Sequence, residues 1–542
     1  MNKRVTHRGD SFSFSTPQMI ASVIAITLSG ASHAMDINVG NPDFTVSLDN
    51  TIRYNTGVRV QQRDSIIGNT ASSDEGDYSH GRGDVVTNRL DLLSELQADY
   101  RGKMGFRLSG AAWYDAAFNN EVKTNPALSA RGSYTNNQFS DFTKRYYGGP
   151  SGELLEAFVY GKFKLGDMPA SINIGRHTVL WGEAIALSTH SVSYSQAPTD
   201  ARKAVATPGV DAKETALPIG QVSGTLQVTP ELNLAGQYYY EWAETRVPEG
   251  GTYLAGTDFI FRGPNQFSLA PGVSLRNAGI LKPRGAGDWG VGARWSPDWL
   301  GGTVGFYARQ FTERNFWLSL DPAAGVYRAV FAQNTKLYGI SLAKNFSGVS
   351  TGMEFSYRQN TALNSSISNG ALQGAVGDTL HVLLNGVANY GNTSLWSSSA
   401  VTAELAYSQL LRVTANRNLF NDCSSGTGRS VITGCSTQNA LQAFLRFSPS
   451  WIGVQPGVDI SALASISYGL KGNSPVLSGG NLHAGSYSIG GTLDYNTRHQ
   501  FSLAYNGYLA SYKSINGATI ASSNGSQIQD RGWLSFTYKT SL

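Results

Sequence analysis

Cysteine is nearly missing: Cys423 and Cys435 are the only two in 542 residues, and no histidine lies near them in sequence. Two thiols cannot complete a tetrahedral metal site, so in a Gly/Ser/Thr-rich stretch of an exported chain they point to a local disulfide pinning one surface loop. Charge is scarce as well, at 15% Asp, Glu, Lys and Arg, against about 25% in an average soluble domain. The formal balance of +4 is close to neutral, which argues against a nucleic-acid partner. Past the amino-terminal leader there is no run of about 18 apolar residues, so no helix of this chain is built to span a bilayer. No Gly-x-x-x-x-Gly-Lys phosphate loop and no His-Glu-x-x-His metal motif appears, and no cofactor is expected.

Glycine (61), tyrosine (26) and phenylalanine (23) are plentiful. Low charge without long apolar runs, together with this glycine and aromatic content, suits a transmembrane β-barrel, where only alternate residues need be apolar. At the start, Lys3, Arg4 and Arg8 precede an apolar stretch at 19–28, and Ser32-His33-Ala34 supplies small residues for cleavage. Residues 1–34 therefore read as a cleaved secretory signal peptide and 35–542 as one exported domain, the apolar core being too short for a retained anchor.

From Phe44 onward, segments of period two recur. They fall at 44–60, 87–100, 105–118, 153–165, 170–181, 221–228, 232–245, 289–295 and 303–314. They continue at 336–345, 351–360, 379–390, 394–411, 440–447, 457–470, 487–495, 500–512 and 532–542. This makes about 18 strands, with 16 the nearest alternative count, joined alternately by short turns and long loops. The fold expected is all-β: a transmembrane antiparallel barrel of the bacterial outer membrane, with short periplasmic turns and long extracellular loops. Soluble sandwiches rarely separate loop lengths in this way. Two similar stretches, 294–301 and 446–453, read as aromatic-bracketed Pro turns at the membrane boundary. In the last segment Leu534, Phe536, Tyr538 and Leu542 share a face opposite Ser535, Thr537, Lys539 and Ser541. This row resembles the closing-strand signal read by barrel-assembly machinery, with Leu542 where that signal prefers Phe.

In such a barrel the lumen and the loops carry function, because the lipid face must be apolar. Alternation in 153–165 puts Leu155, Ala157, Val159, Phe163 and Leu165 on one face, and Glu156, Tyr160, Lys162 and Lys164 on the other. The lumen candidates are Glu156, Lys162, Lys164, Arg176, Arg309, Arg358 and Glu404. Both signs are present, so strong selection of one ion sign is not indicated. The third long loop, 182–218, is charged and poor in glycine. It offers Glu183, Arg202 and Lys203 as constriction candidates if it folds inward; otherwise it is a surface loop. The fourth, 247–287, mixes Phe259, Phe261 and Phe267 with Arg262 and Arg276, a combination able to receive an amphipathic ligand with an acidic head. His177 and His190 flank Trp181-Gly182-Glu183 with Ser188 and Ser191 near, a set that could mimic a hydrolase triad, but no enzyme is expected.

Arg53-Tyr54, Val58-Arg59-Val60 and Asp64, the stretches from Val86 to Glu95, Gly105 to Asp115 and Gly175 to Glu183, Lys213-Glu214, Leu217-Pro218 and Tyr240-Glu241-Trp242 together resemble a proteobacterial outer-membrane family. That family is labelled domain of unknown function thirteen-oh-two. The resemblance implies a barrel often encoded beside a periplasmic partner and an inner-membrane exporter, and linked with hydrophobic compounds. It carries no catalytic residues. On this reading the chain is a passive channel for small hydrophobic or amphipathic organic molecules, in contact with outer-membrane lipid and lipopolysaccharide. The alternatives are a general porin for polar solutes and a plugged structural or adhesive barrel.

Overall fold

The computed structural model describes residues 35–128, 132–270, 272–424, 430–515, 519–522 and 526–542. The leader expected at 1–34 lies outside the described residues. Eighteen strands form a closed antiparallel barrel: β1 (Phe44–Arg59), β2 (Val85–Tyr100), β3 (Met104–Asp115), β4 (Ser151–Leu165), β5 (Met168–His177) and β6 (Ile219–Gln227). These are followed by β7 (Leu232–Tyr239), β8 (Trp289–Trp295), β9 (Gly302–Phe311), β10 (Thr335–Phe346), β11 (Val349–Ala362) and β12 (Val376–Tyr390). The last six are β13 (Ser398–Ala415), β14 (Asn439–Gln455), β15 (Val458–Lys471), β16 (Gly485–Tyr495), β17 (His499–Leu509) and β18 (Trp533–Ser541). The expected strand count is met. Closure is made by β18 on β1, in register from Thr51 opposite Ser541 to Arg59 opposite Trp533, so no free edge remains.

Alternation sets the two faces. Phe106, Val159, Ile174, Val291, Phe306, Ile340, Phe355, Leu405, Ile489 and Leu503 point outward and are exposed, a greasy outer surface that only lipid can cover. Ring pairs such as Trp295 and Trp299, with centroids 5.9 Å apart, and Phe44 and Tyr100, 4.9 Å apart, mark the short-turn end, where headgroups meet hydrocarbon. Short turns at one end, long loops at the other, and the start of β1 and the end of β18 both on the short-turn side are the architecture of an outer-membrane barrel. Among the described residues, no helix is long and apolar enough to cross a membrane.

Two expectations need correction. The stretch 446–453 is not a turn: it continues β14, with Pro449 opposite Ser399 on β13 and the turn displaced to Pro456-Gly457. Proline has no N–H to give, and the ladder to β15 steps from Phe447 directly to Ser450, so the barrel accommodates Pro449 as a gap in one ladder. Its likeness to 294–301 is therefore one of spelling. In β4 a bulge intervenes between the pairs Leu108 with Ala157 and Gly110 with Leu154. Leu154 therefore faces lipid, while Leu155 turns inward against Leu93, Ala111 and Leu217, and one extra residue has switched the face of everything before it.

The long-loop end is covered. A four-stranded sheet joins Gln266–Ala270 and Val273–Ile280 of the fourth long loop with Trp317–Asp321 and Val326–Val330 of the fifth. The seventh carries the expected disulfide between Cys423 and Cys435, 12 residues apart.

Candidate functional site

An irregular loop inside a barrel must find a partner for each buried N–H and C=O group. The third long loop, 178–218, finds them on the inner faces of β9 to β13. Glu354 accepts from the backbone N–H groups of Glu183, Ala184 (3.1 Å) and Val192 (2.7 Å), and from the Ser191 hydroxyl (3.1 Å). Glu404 accepts from Ile185, Ala186 and Leu187 at 2.9, 2.8 and 3.1 Å. Arg309 Nη1 donates to the carbonyls of Val192 and Tyr194, both at 2.8 Å. Arg358 Nη2 donates to those of Thr189 (2.8 Å) and Ser191 (3.1 Å). Val192 and Tyr194 then pack with Tyr307, Phe311 and Leu337. Gly182 is in the left-handed region, φ 89°, and a Cβ there would strike the Glu354 carboxylate and Val192, so the bend needs glycine.

The second half of the loop reaches the far wall. Asp200 caps the short helix Ala201–Ala206 and pairs with Arg202 at 2.8 Å and Arg246 at 3.0 Å. Burial alone would raise the Asp200 carboxyl, but the Arg202 guanidinium, supported by Arg246 and Lys203, holds it well below the usual carboxylate range. Lys203 pairs with Glu153 at 3.0 Å, Arg53 with Glu214 at 2.9 Å, Lys539 with Asp211 at 2.8 Å and Lys213 with Glu95. The loop is thus tied to β9–β13 at one end and to β1, β2, β4 and β18 at the other, across the lumen.

Above this second half, facing the long-loop side, lies a pocket whose empty space is about 1060 Å³, open solvent included. Its wall is aromatic, from Trp113, Phe118, Phe139, Tyr146, Tyr147, Tyr253 and Trp533, with Arg89, Arg202 and Lys203 among them. Arg202 lies 4.0 Å from the Tyr146 ring centre, and Lys203 and Arg89 lie 5.0 and 5.4 Å from that of Trp113, so each cation is held against a π face. Asp115, Glu121, Lys123 and Asp200 also line the pocket, and Arg89, Arg202 and Lys203 are paired with Asp91, Asp200 and Glu153, so it offers flat apolar walls with a rim of both signs.

The residues singled out from the sequence divide clearly. Arg309, Arg358 and Glu404 grip the loop and are fully buried; Glu183 sits in the gripped segment, and Ser341 donates to its carboxylate at 3.2 Å. Arg202 and Lys203 line the pocket. Glu156 pairs with Arg107 at 2.8 Å and Arg176 with Glu241 at 2.8 Å. Lys162 and Lys164 stand exposed near the short-turn mouth. The fourth-loop candidates have partners within the loops: Phe259 stacks on Phe267 at 3.8 Å, Phe261 on Phe316 of the fifth loop at 5.3 Å, and Arg262 pairs with Glu244 at 3.0 Å. Arg276 belongs to the covering sheet, opposite Val326. Phe261 and Arg262 also line a second pocket with Phe142, Tyr146 and Arg176, and the Arg276 side chain is exposed. Glu354, Trp113, Tyr146 and Trp533 were not singled out; Glu354 was reachable by parity, lying four residues before Arg358 on the same face of β11 and next to the outward Phe355.

The triad-like set does not assemble. His177 Nε2 lies 2.7 Å from the Ser223 hydroxyl, His190 Nδ1 lies 3.1 Å from His381 Nδ1, and Ser191 serves Glu354. The one Gly-x-Ser-x-Gly spelling, Gly348 to Gly352, runs from a hairpin turn into β11, without the strand-turn-helix that gives the motif its chemistry.

A family model described as protein of unknown function, DUF1302, matches residues 15–542, and the chain belongs to that family. No curated protein matches it. Among solved structures it is similar to OpdK of Pseudomonas aeruginosa, crystallised with vanillate, at 10% identity over 92% of this chain and 98% of that one, TM-score 0.41. It is also similar to a BenF-like porin of Pseudomonas fluorescens Pf-5, at 9% identity, 92% and 99% coverage and TM-score 0.41. The outer membrane channel DcaP of Acinetobacter baumannii stands at 10% identity, 92% and 97% coverage and TM-score 0.35.

Proposed function

We propose, taking membership of this family as the premise, that the chain is an outer-membrane channel for passive passage of small hydrophobic or amphipathic organic molecules. The observation that carries the substrate class is the aromatic pocket edged by Arg89, Arg202 and Lys203 on the long-loop side. It would gather an apolar body and orient its head before the molecule passes the third loop. That loop, fixed by Glu354, Glu404, Arg309 and Arg358, acts as the constriction. The solute gradient, or a periplasmic partner working with an inner-membrane exporter, supplies the drive.

A general porin for polar solutes is the second reading, favoured by the hydroxyl-rich inner faces of β15 to β17. Liposome swelling with the purified protein separates a channel from a plugged barrel, since a plugged barrel gives no swelling. Loss of growth on apolar carbon sources after deletion of the gene, with growth on sugars retained, supports the first reading. The reverse pattern supports the second.

A further inference from the structure

The inner wall of the barrel is not uniformly wet. Beneath the third loop, Arg309, Ser341, Glu354, Ser356, Arg358, His381 and Glu404 are buried. On the other side, Ser461, Ser465, Ser488, Thr492, Ser502 and Asn506 of β15, β16 and β17 share the inward face and stay partly exposed. They bond laterally, Thr492 to Ser502 at 2.8 Å and Ser488 to Asn506 at 3.1 Å. Across its middle this is a wall of hydroxyls and amides; the same inward face carries two carboxylates, Asp459 and Asp494, opposite each other toward the short-turn end.

One cation stands at its edge. Glu404 lies opposite Phe444, and two residues along, Thr402 lies opposite Arg446, so Arg446 shares the inward face of Glu404. It lies midway along β14, opposite Ser465, whose partner is Ser488 and then Asn506. Its side chain is exposed, and its Nε donates only to the Ser448 hydroxyl at 3.1 Å. Among the described residues, no carboxylate lies within ion-pairing distance of it. The other guanidiniums in the middle of the wall are engaged: Arg53 by Glu214, Arg89 by Asp91, Arg107 by Glu95 and Glu156, and Arg309 and Arg358 by loop carbonyls.

We infer that Arg446 is the selectivity-determining residue of the open side of the lumen, favouring solutes with a single anionic head over cations. This rests on the channel reading above. A unit charge about 7 Å from a passing ion in water changes its local concentration about threefold. That effect fades in molar salt, where the screening length falls to about 3 Å. The adjoining wall holds no charge at the level of Arg446: Asp459 and Asp494 lie six residues beyond Ser465 and Ser488 toward the short-turn mouth, where Lys162, Lys164 and Arg294 are also exposed. The guanidinium fork suits a carboxylate or phosphate head.

The test is the reversal potential of the purified full-length protein in a planar bilayer under a KCl gradient. The wild type is expected to prefer chloride. Arg446→Gln lowers the chloride-to-potassium permeability ratio about sevenfold, about threefold from each ion, Arg446→Glu carries it further to the cation side, and Arg446→Lys keeps it. The chain has no free cysteine, so Arg446→Cys labelled with a cationic methanethiosulfonate restores the lost preference only if position 446 lines the path. Heat-modifiable gel migration checks that each variant has folded, and Arg82→Gln on an exposed loop is the control without effect. Unchanged ratios in the Gln and Glu variants of a conducting, folded protein overturn the assignment. A wild type that does not conduct overturns the channel reading instead.

Discussion

Replacing Glu404 with alanine removes the acceptor for three consecutive loop N–H groups, those of Ile185, Ala186 and Leu187 at 2.9, 2.8 and 3.1 Å. A buried donor left unpaired costs about 1–3 kcal/mol. Water entering from the wet half of the lumen recovers part of that, so about 1 kcal/mol per N–H, or about 3 kcal/mol in all, is the working figure. A bias of that size moves the balance between docked and released loop about a hundredfold. The strands are untouched and the barrel stays closed. Glu404→Ala should therefore conduct more in single-channel recordings, with larger current fluctuations, and external protease should reach the 183–194 segment. Glu404→Gln keeps an acceptor oxygen and should show a smaller effect. If Glu404→Ala folds and matches the wild type in both conductance and protease resistance, the third loop is not held by these bonds.

Trp113→Ala in the mouth pocket removes the ring against which Lys203 and Arg89 rest, contacts worth about 0.5–2 kcal/mol each; uptake of amphipathic solutes should fall in a liposome assay while KCl conductance stays unchanged. Burial pushes Glu75 and Glu249, in the first and fourth long loops, up to about 7, with Asp74 and Asp258 also raised beside Glu75. A carboxyl raised on folding stabilises the cap below its unfolded pKa and loses that contribution as pH rises through the folded value. Protection factors in these loops, taken after correction for the base catalysis of intrinsic exchange, should be lower at pH 8 than at pH 5, and Glu75→Gln with Glu249→Gln should flatten the difference. Removing the disulfide by Cys423→Ser with Cys435→Ser should cost the seventh long loop about 3 kcal/mol by the loop-closure argument, read as protease sensitivity confined to that loop, with conductance unaltered.

The barrel was legible because lipid enforces one simple rule. Within each strand between Phe44 and Phe536 alternate residues face lipid and must be apolar, so strand number, closure and the two loop lengths could be counted along the chain. Two local features broke the count of faces. Pro449 looked like a turn because proline usually stops a strand, yet the ladder tolerates it with a gap in the pairing to β15; Arg446, inside the strand expected at 440–447, was not named as a lumen residue. The bulge at Leu155 adds one residue that no alternation rule announces. The charged residues Arg309, Arg358 and Glu404 were found by parity, but their task was not. Glu404 meets Ile185 219 residues away, and only the closed barrel brings the loop backbone within reach of that carboxylate. The fourth-loop aromatics showed the reverse: their composition suggested a ligand surface, but Phe259 and Phe267 satisfy each other.

The lumen is dry where the third loop covers it and wet along β15 to β17. The direct measurement is labelling of single cysteines in intact outer membranes or proteoliposomes with a small, charged thiol reagent. Ser488→Cys, on the wet wall, should label rapidly, and Ser356→Cys, beneath the loop, should not label unless Glu404 and Glu354 are also removed. Equal labelling of the two, or faster labelling at position 356, would contradict it.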